Sequence, residues 1–176
     1  MHPFVLPTIK SVADAVDFGL TVRPYVPQLY ALPQQVYTAL QSSDRLNELR
    51  ILYLSTNPLV FAFAFSLLLV PIFLTVSEIT RNYSQVDRAW SILPSIYIGH
   101  YCFWAHQQNL PTQRLDYVLI FAVAWSVRLT FNYWRKGGYS VGSEDYRWEH
   151  VKKYSGPLGM FAFNLTFISL TQSVCF

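Results

Sequence analysis

The stretch PLVFAFAFSLLLVPIFLTVS, residues 58–77, decides the fold class of this chain. It lies in an uncharged run that extends from Ile51 to Ser77, and about 20 apolar residues in a helix are enough to cross a bilayer core. The composition agrees, because 52% of the 176 residues are hydrophobic and only 13% are charged, against roughly 25% charged in ordinary soluble domains. The sequence therefore predicts an all-α, polytopic integral membrane protein that has the lipid bilayer as a partner.

Three further apolar segments follow, so the sequence predicts about four transmembrane helices. The membrane domain is expected over residues 58–176, after a mixed, interfacial segment over residues 1–57 in which prolines at positions 24, 27 and 33 break any long helix. The expected spans are about 58–77, 89–105, 117–134 and 158–176.

The end of the chain is unusual for a complete membrane protein. Lys153 is the last charged residue, so no polar tail follows the fourth span. We therefore expect a chain truncated at its C-terminus, and hence an incomplete bundle. The alternative is a genuine four-span protein whose end sits at the membrane interface.

Charge and ligand spacing argue against two classes of partner. The net charge of +3 and the short Lys/Arg blocks do not indicate nucleic acid. His100 and His106 are six residues apart and do not share a helical face, and neither Cys102 nor Cys175 belongs to a metal-type cluster. No metal is expected.

The topology follows from the basic residues near the spans. Seven Lys or Arg residues lie in the loops after spans one and three, and three lie on the opposite side. This bias places loops 78–88 and 135–157 in the cytoplasm.

An arginine inside the third span is the first candidate for a functional site. Arg128 shares one helical face with Asn132 and Arg135, and an arginine at membrane depth is usually paired and functional. The alternative is that Arg128 lies near enough to the helix end to reach the headgroups.

The residues before the second span are a second candidate. Asp87 can complement the helix dipole there, and Trp90 can anchor the interface or line a site. In the loop after the third span, Gly137 and Gly138 allow a sharp exit from the helix, and a C-cap is their expected use.

The loop that follows this glycine pair is dense in charge and aromatic rings. Arginine suits a phosphate-bearing ligand, tyrosine can polarise a carbonyl, and carboxylates can orient both. The alternative is an interfacial helix start with local ion pairs. The candidate ligand-binding residues of this loop are Tyr139, Glu144, Asp145, Tyr146 and Arg147.

Two segments, NYSQVDRAWSILP at 82–94 and RLTFNYWRKGGYSVGSEDYRWE at 128–149, make the chain recognisable. Together they resemble the steroid-5α-reductase-like membrane family, in its uncharacterised, fungal-type branch. The resemblance implies a multi-span all-α fold in which NADPH reduces a carbon–carbon double bond of an enone or enoyl lipid. It also implies that much of the nucleotide site lies in a C-terminal half beyond residue 176.

The resulting expectation is a fragment of an endoplasmic-reticulum oxidoreductase that acts on a lipid-like small molecule. NADPH is expected only for the full-length protein, and the sequence assigns no catalytic residue. The alternative is a non-catalytic membrane scaffold or binding protein that keeps the same fold.

Overall fold

The structure is a computed structural model that describes residues 7–175, so residues 1–6 and 176 at the ends of the predicted segments lie outside it. Every regular element of the described residues is helical. In chain order they are α1 (Val12–Val16), α2 (Phe18–Thr21), a 3₁₀ turn (Arg23–Tyr25), α3 (Val26–Gln41), α4 (Arg45–Ser55), α5 (Pro58–Thr80), α6 (Gln85–Trp90), α7 (Leu93–Gln107), α8 (Gln113–Arg135), α9 (Tyr146–Phe163), a π-helix (Asn164–Thr171) and α10 (Gln172–Cys175).

Three of these helical stretches are long and apolar enough to cross a membrane: Pro58–Thr80, Gln113–Arg135 and Tyr146–Cys175. Together they confirm an all-α, polytopic membrane protein. At 1.5 Å per residue, the 23 residues of α5 and of α8 each span roughly 34 Å. Phe121 and Val127 on α8 are 74% and 64% exposed within the protein, as expected of side chains that face lipid.

The predicted second span, 89–105, differs from the observed structure. A break near Ser91 separates short α6 from α7, and α7 has only 15 residues, fewer than the roughly 20 that a bilayer crossing needs. Hydrogen bonds attach this region to α8: the Ser91 and Thr130 hydroxyls lie 2.7 Å apart, and the Ser95 hydroxyl donates to the Ala122 carbonyl at 2.9 Å.

The chain divides into two compact units. The first contains the residues up to Ala64 together with Gln107–Asn109, and the second contains Phe65–His106 and Leu110–Phe176. In the first unit, the 16-residue helix α3 carries Pro33 inside it, so the expectation that the prolines break any long helix is wrong for this segment. The buried cluster of the first unit consists of Tyr25, Leu32 and Val60.

The α8 helix ends in a Schellman motif at the glycine pair. Gly137 has φ of +80°, a conformation that glycine adopts without a Cβ penalty. The Gly137 and Gly138 amides donate to the carbonyls of Trp134 and Tyr133, at 2.9 and 3.0 Å. Both bonds satisfy carbonyls at the helix end, which confirms the predicted C-cap.

The last span is irregular. Gly156, with φ of +66°, interrupts α9 before Pro157, and the eight-residue π-helix follows. Asn164 is fully buried in this π-helix; its amide donates to the Glu78 carboxylate at 2.9 Å, and its carbonyl accepts from the Ser169 hydroxyl at 3.2 Å. π-Helical segments are rare and frequently occur at functional sites.

Candidate functional site

The two recognisable segments of the sequence pack against each other in the second unit. The Asn82 side-chain amide donates to the Ser143 carbonyl at 2.8 Å, and the Asp145 backbone amide donates to the Ser84 hydroxyl at 2.9 Å. Ser84 is fully buried. Residues about 60 positions apart in sequence are therefore joined by specific polar contacts.

We call the contact between the segments 82–94 and 128–149 the junction. Arg88 and Tyr139 add further hydrogen bonds to it. The Arg88 guanidinium donates to the carbonyls of Gly138 and Ser143, at 3.3 and 2.8 Å, and the Tyr139 hydroxyl donates to the Arg88 carbonyl at 3.0 Å. These bonds hold the loop after α8 in one conformation.

Glu144 connects the segment before α6 to α9. Its two carboxylate oxygens accept from the Tyr83 backbone amide at 2.8 Å and from the Lys152 ammonium at 2.6 Å. The same ammonium donates to the Arg81 carbonyl at 3.0 Å and lies 4.9 Å from the centre of the Tyr83 ring. Glu144 is therefore a structural residue of the junction.

Asp87 and Asp145 hold the beginning of α9. Asp87 accepts from the Trp148 indole at 2.8 Å, and Asp145 accepts from both the backbone and the side chain of Arg147, at 2.8–2.9 Å. The hydrogen bond from the Arg147 side chain holds the pKa of Asp145 below its ordinary value. The helix start with local ion pairs is thus present, and the same residues also reach a cavity.

This cavity, which we call the junction cavity, has a volume of about 660 Å³, within the range of small-molecule sites. It lies between the junction and the ends of α8 and of the last span. Its lining residues are Asp87, Trp90, Ser91, Leu129, Asn132, Tyr133, Lys136, Asp145, Arg147, Trp148, Phe167 and Gln172.

Tyr133 is held in one position at the wall of the junction cavity. A Cβ on Gly138 would lie only 2.3–2.6 Å from its ring, and the ring of Tyr139 packs edge-on with centroids 5.1 Å apart. Its hydroxyl has no hydrogen-bond partner among residues 7–175. A fixed phenol with a free hydroxyl can donate a hydrogen bond to a ligand carbonyl.

The charges around the junction cavity balance. Lys136 and Arg147 contribute two positive charges, and Asp87 and Asp145 contribute two negative charges. Carboxylates within 4.0 Å of the Arg147 guanidinium reduce its ability to bind a free phosphate. The lining therefore suits a neutral, partly apolar ligand that carries one or two hydrogen-bond acceptors better than it suits a highly charged one.

The structure brings together half of the site residues expected from the sequence. Asp87, Trp90, Asn132, Asp145 and Arg147 line the cavity, whereas Tyr139 and Glu144 support its wall. Tyr146 is 71% exposed outside the lining.

Arg128 and Arg135 are also exposed outside the lining. Neither makes a hydrogen bond or an ion pair within the described part of the chain.

The sequence did not predict five of the lining residues: Ser91, Leu129, Tyr133, Phe167 and Gln172. One feature of the sequence could have indicated Tyr133. Gly138, five positions later, has no side chain and so permits close approach of the Tyr133 ring. Phe167 and Gln172 depend on how the last span packs, which local pattern does not show.

Comparisons with known proteins identify relatives but no activity. A family described as "Protein of unknown function (DUF1295)" matches residues 73–176, more than half of the chain. An uncharacterized protein of Schizosaccharomyces pombe is 38% identical over 148 residues, which cover 84% of this chain and 41% of the relative. The chain therefore spans about two-fifths of that relative's length. No solved structure matches significantly.

Proposed function

This chain belongs to the DUF1295 family of proteins of unknown function, and we propose that it forms part of a membrane oxidoreductase. The proposed reaction reduces a carbon–carbon double bond of a lipid-like enone or enoyl substrate with NADPH. Because the chain covers 41% of its fungal relative, the activity is proposed for the whole protein, at the endoplasmic reticulum membrane.

The observation that supports this proposal most is the confined Tyr133 side chain in the lining of the junction cavity. Reduction of an enone places negative charge on the carbonyl oxygen, and a fixed donor at that oxygen stabilises the transition state more than the ground state. The Tyr133 ring is confined by Gly138 and Tyr139, while its hydroxyl has no partner in the described chain. Tyr133 is therefore our candidate for the donor.

The walls around this hydroxyl suit an apolar substrate. Trp90, Leu129, Trp148 and Phe167 contribute aromatic and aliphatic surface to the junction cavity. The cavity adjoins helices with lipid-facing side chains, so a substrate with an alkyl or sterol-like body can enter from the bilayer. The resemblance to steroid-5α-reductase-like proteins supports the same substrate class.

The charge-balanced lining is assigned to the neutral substrate, and Asn132, Lys136 and Arg135 offer contacts for part of NADPH. The Asn132 amide can bond a carboxamide, and Lys136 in the lining, with exposed Arg135 beside it, can meet phosphate oxygens. When bound, the reduced nicotinamide supplies the hydride. The role of the chain's own residues is to position the substrate, hold the carbonyl at Tyr133 and exclude water with the aromatic walls.

The experiment is a kinetic comparison in the full-length protein, reconstituted in nanodiscs with enone lipids and NADPH. Tyr133→Phe removes only the hydroxyl, and we expect kcat to fall by about 100- to 1,000-fold with little change in KM. Tyr146→Phe is the matched control, because this tyrosine is exposed outside the lining.

Unchanged kcat in Tyr133→Phe would remove this residue from the chemistry. Absence of any NADPH-dependent turnover by the whole protein, across enone and enoyl lipids, would instead favour the non-catalytic scaffold.

A further inference from the structure

A second cluster of reactive side chains lies where α7 turns into α8. Cys102, His106 and Asp116 each place one ligand atom so that all three atoms lie within 4.8 Å of one another. The Cys102 thiol donates to Asp116 Oδ1 at 2.9 Å, and His106 Nε2 lies 2.8 Å from the same oxygen. Cys102 and His106 are four residues apart on α7 and share one helical face. The structure therefore places Cys102 in a cluster of potential metal ligands, contrary to the expectation from its sequence spacing.

We propose that Cys102, His106 and Asp116 form a zinc-binding site. Thiolate sulfur, imidazole nitrogen and carboxylate oxygen are the ligands that Zn²⁺ takes, and three protein ligands leave a fourth position for water. Bond lengths of about 2.0–2.3 Å in a tetrahedron place ligand atoms about 3.3–3.6 Å apart. The two separations from Asp116 Oδ1, 2.9 Å to the thiol sulfur and 2.8 Å to the imidazole nitrogen, would each have to lengthen by about 0.5 Å to accept the ion.

The surrounding structure holds these ligands in place. The Thr112 hydroxyl donates to Asp116 Oδ2 at 2.8 Å, which leaves Oδ1 directed at the other two ligands. The Leu110 amide donates to the Ala105 carbonyl at 3.0 Å and closes the turn between the helices. Such partners orient metal ligands and strengthen binding.

Charge and access also agree with zinc. Binding releases the thiol proton to solvent, and one thiolate, one carboxylate and a neutral imidazole then balance the two charges of the ion. Cys102 is 4% exposed, whereas the side chains of His106 and Asp116 are 54% and 39% exposed and leave an entry path. A nucleophilic cysteine fits less well, because the thiol donates to the carboxylate rather than to the imidazole.

This site is separate from the junction cavity. Asp116 and Asn132 are 16 residues apart on α8, which corresponds to about 24 Å along the helix. Zinc there would join the ends of two helices at the opposite end of α8, and its binding is independent of the proposed reduction.

The test is metal titration of the full-length protein, stripped with a chelator and held in detergent under reducing conditions. We expect Zn²⁺ to bind in competition with a chromophoric chelator, Mg²⁺ not to compete, and Co²⁺ to show a thiolate charge-transfer band. Cys102→Ser should abolish that band, whereas Cys175→Ser, which changes the other free cysteine, should retain it. His106→Gln and Asp116→Asn should each weaken Zn²⁺ binding by at least about tenfold.

Thermal unfolding of the metal-free variants checks that they remain folded, and Zn²⁺ should raise the melting temperature of the wild-type protein but not of Cys102→Ser. A Co²⁺ spectrum without the thiolate band, or Zn²⁺ affinity unchanged in Cys102→Ser, would show that the three residues form only a hydrogen-bonded link between helices.

Discussion

The contact between Gly138 and Tyr133 gives the sharpest structural prediction. Gly138→Ala places a Cβ 2.3–2.6 Å from three atoms of the Tyr133 ring, closer than any carbon contact allows. Either the ring or the backbone after α8 must move. Overpacking of this kind costs about 1–3 kcal/mol, and a displaced Tyr133 ring also changes the wall of the junction cavity.

Gly142→Ala separates this clash from backbone strain. Gly142 has φ of +82° and nothing within 4 Å of its ideal Cβ, so alanine there introduces strain of about 1–2 kcal/mol without a clash. Gly138 has no such positive φ. Both glycines are in the same loop, which makes the comparison direct.

The assay is reversible unfolding in mixed micelles, combined with binding of a fluorescent enone lipid to the full-length protein. We expect both variants to lose stability, but only Gly138→Ala to lose ligand affinity as well. If Gly138→Ala binds the lipid as the wild-type protein does, the Tyr133 ring does not set the shape of the cavity, and the argument for that residue fails.

Three further changes test other parts of the second unit. Glu144→Gln weakens the bonds to Tyr83 and Lys152 and should cost about 1.5–3 kcal/mol of unfolding free energy, whereas the same change at exposed Glu149 should cost almost nothing. The lowered pKa of Asp145 means that its stabilisation is complete above the ordinary value of 3.8 and is lost as the pH falls through the lower folded pKa. Acid unfolding curves of the wild-type protein and Asp145→Asn should therefore converge at low pH, and a constant gap would contradict the assigned ion pair. Arg128→Leu should leave lipid binding unchanged and membrane insertion equal or improved, because the Arg128 guanidinium is exposed outside the cavity lining. A clear loss of lipid binding in a competition assay would show that Arg128 contributes to the binding site.

Hydropathy was sufficient to predict the long helices but not where they break. The spans at 58–77 and 117–134 correspond to Pro58–Thr80 and Gln113–Arg135. In a bilayer, a run of about 20 apolar residues must satisfy its backbone hydrogen bonds internally, and an α-helix does so. The predicted span at 89–105 is not one helix. Ser91 lies in a turn between α6 and α7, and its hydroxyl forms a hydrogen bond with Thr130 on α8.

The candidate site was predictable in composition rather than in geometry. The sequence placed Asp87 and Arg147 near one membrane face, but their shared cavity depends on main-chain acceptors such as the Ser143 carbonyl. Any residue type supplies a carbonyl, so side-chain patterns do not reveal these bonds. Tyr133 was missed for a similar reason, because its role depends on the space left by Gly138, which lies outside its helix.

The most direct test of the central claim is photolabelling of the full-length protein in nanodiscs with an enone lipid that carries a diazirine near the enone. Mass spectrometry should place the adducts on cavity segments, within residues 87–91, 129–136, 145–148 and 167–172, and excess unlabelled enone should compete them away. Tyr133→Phe should leave this labelling pattern in place while lowering kcat by about 100- to 1,000-fold. Competable adducts confined to other segments would contradict the assignment of the junction cavity as the substrate site.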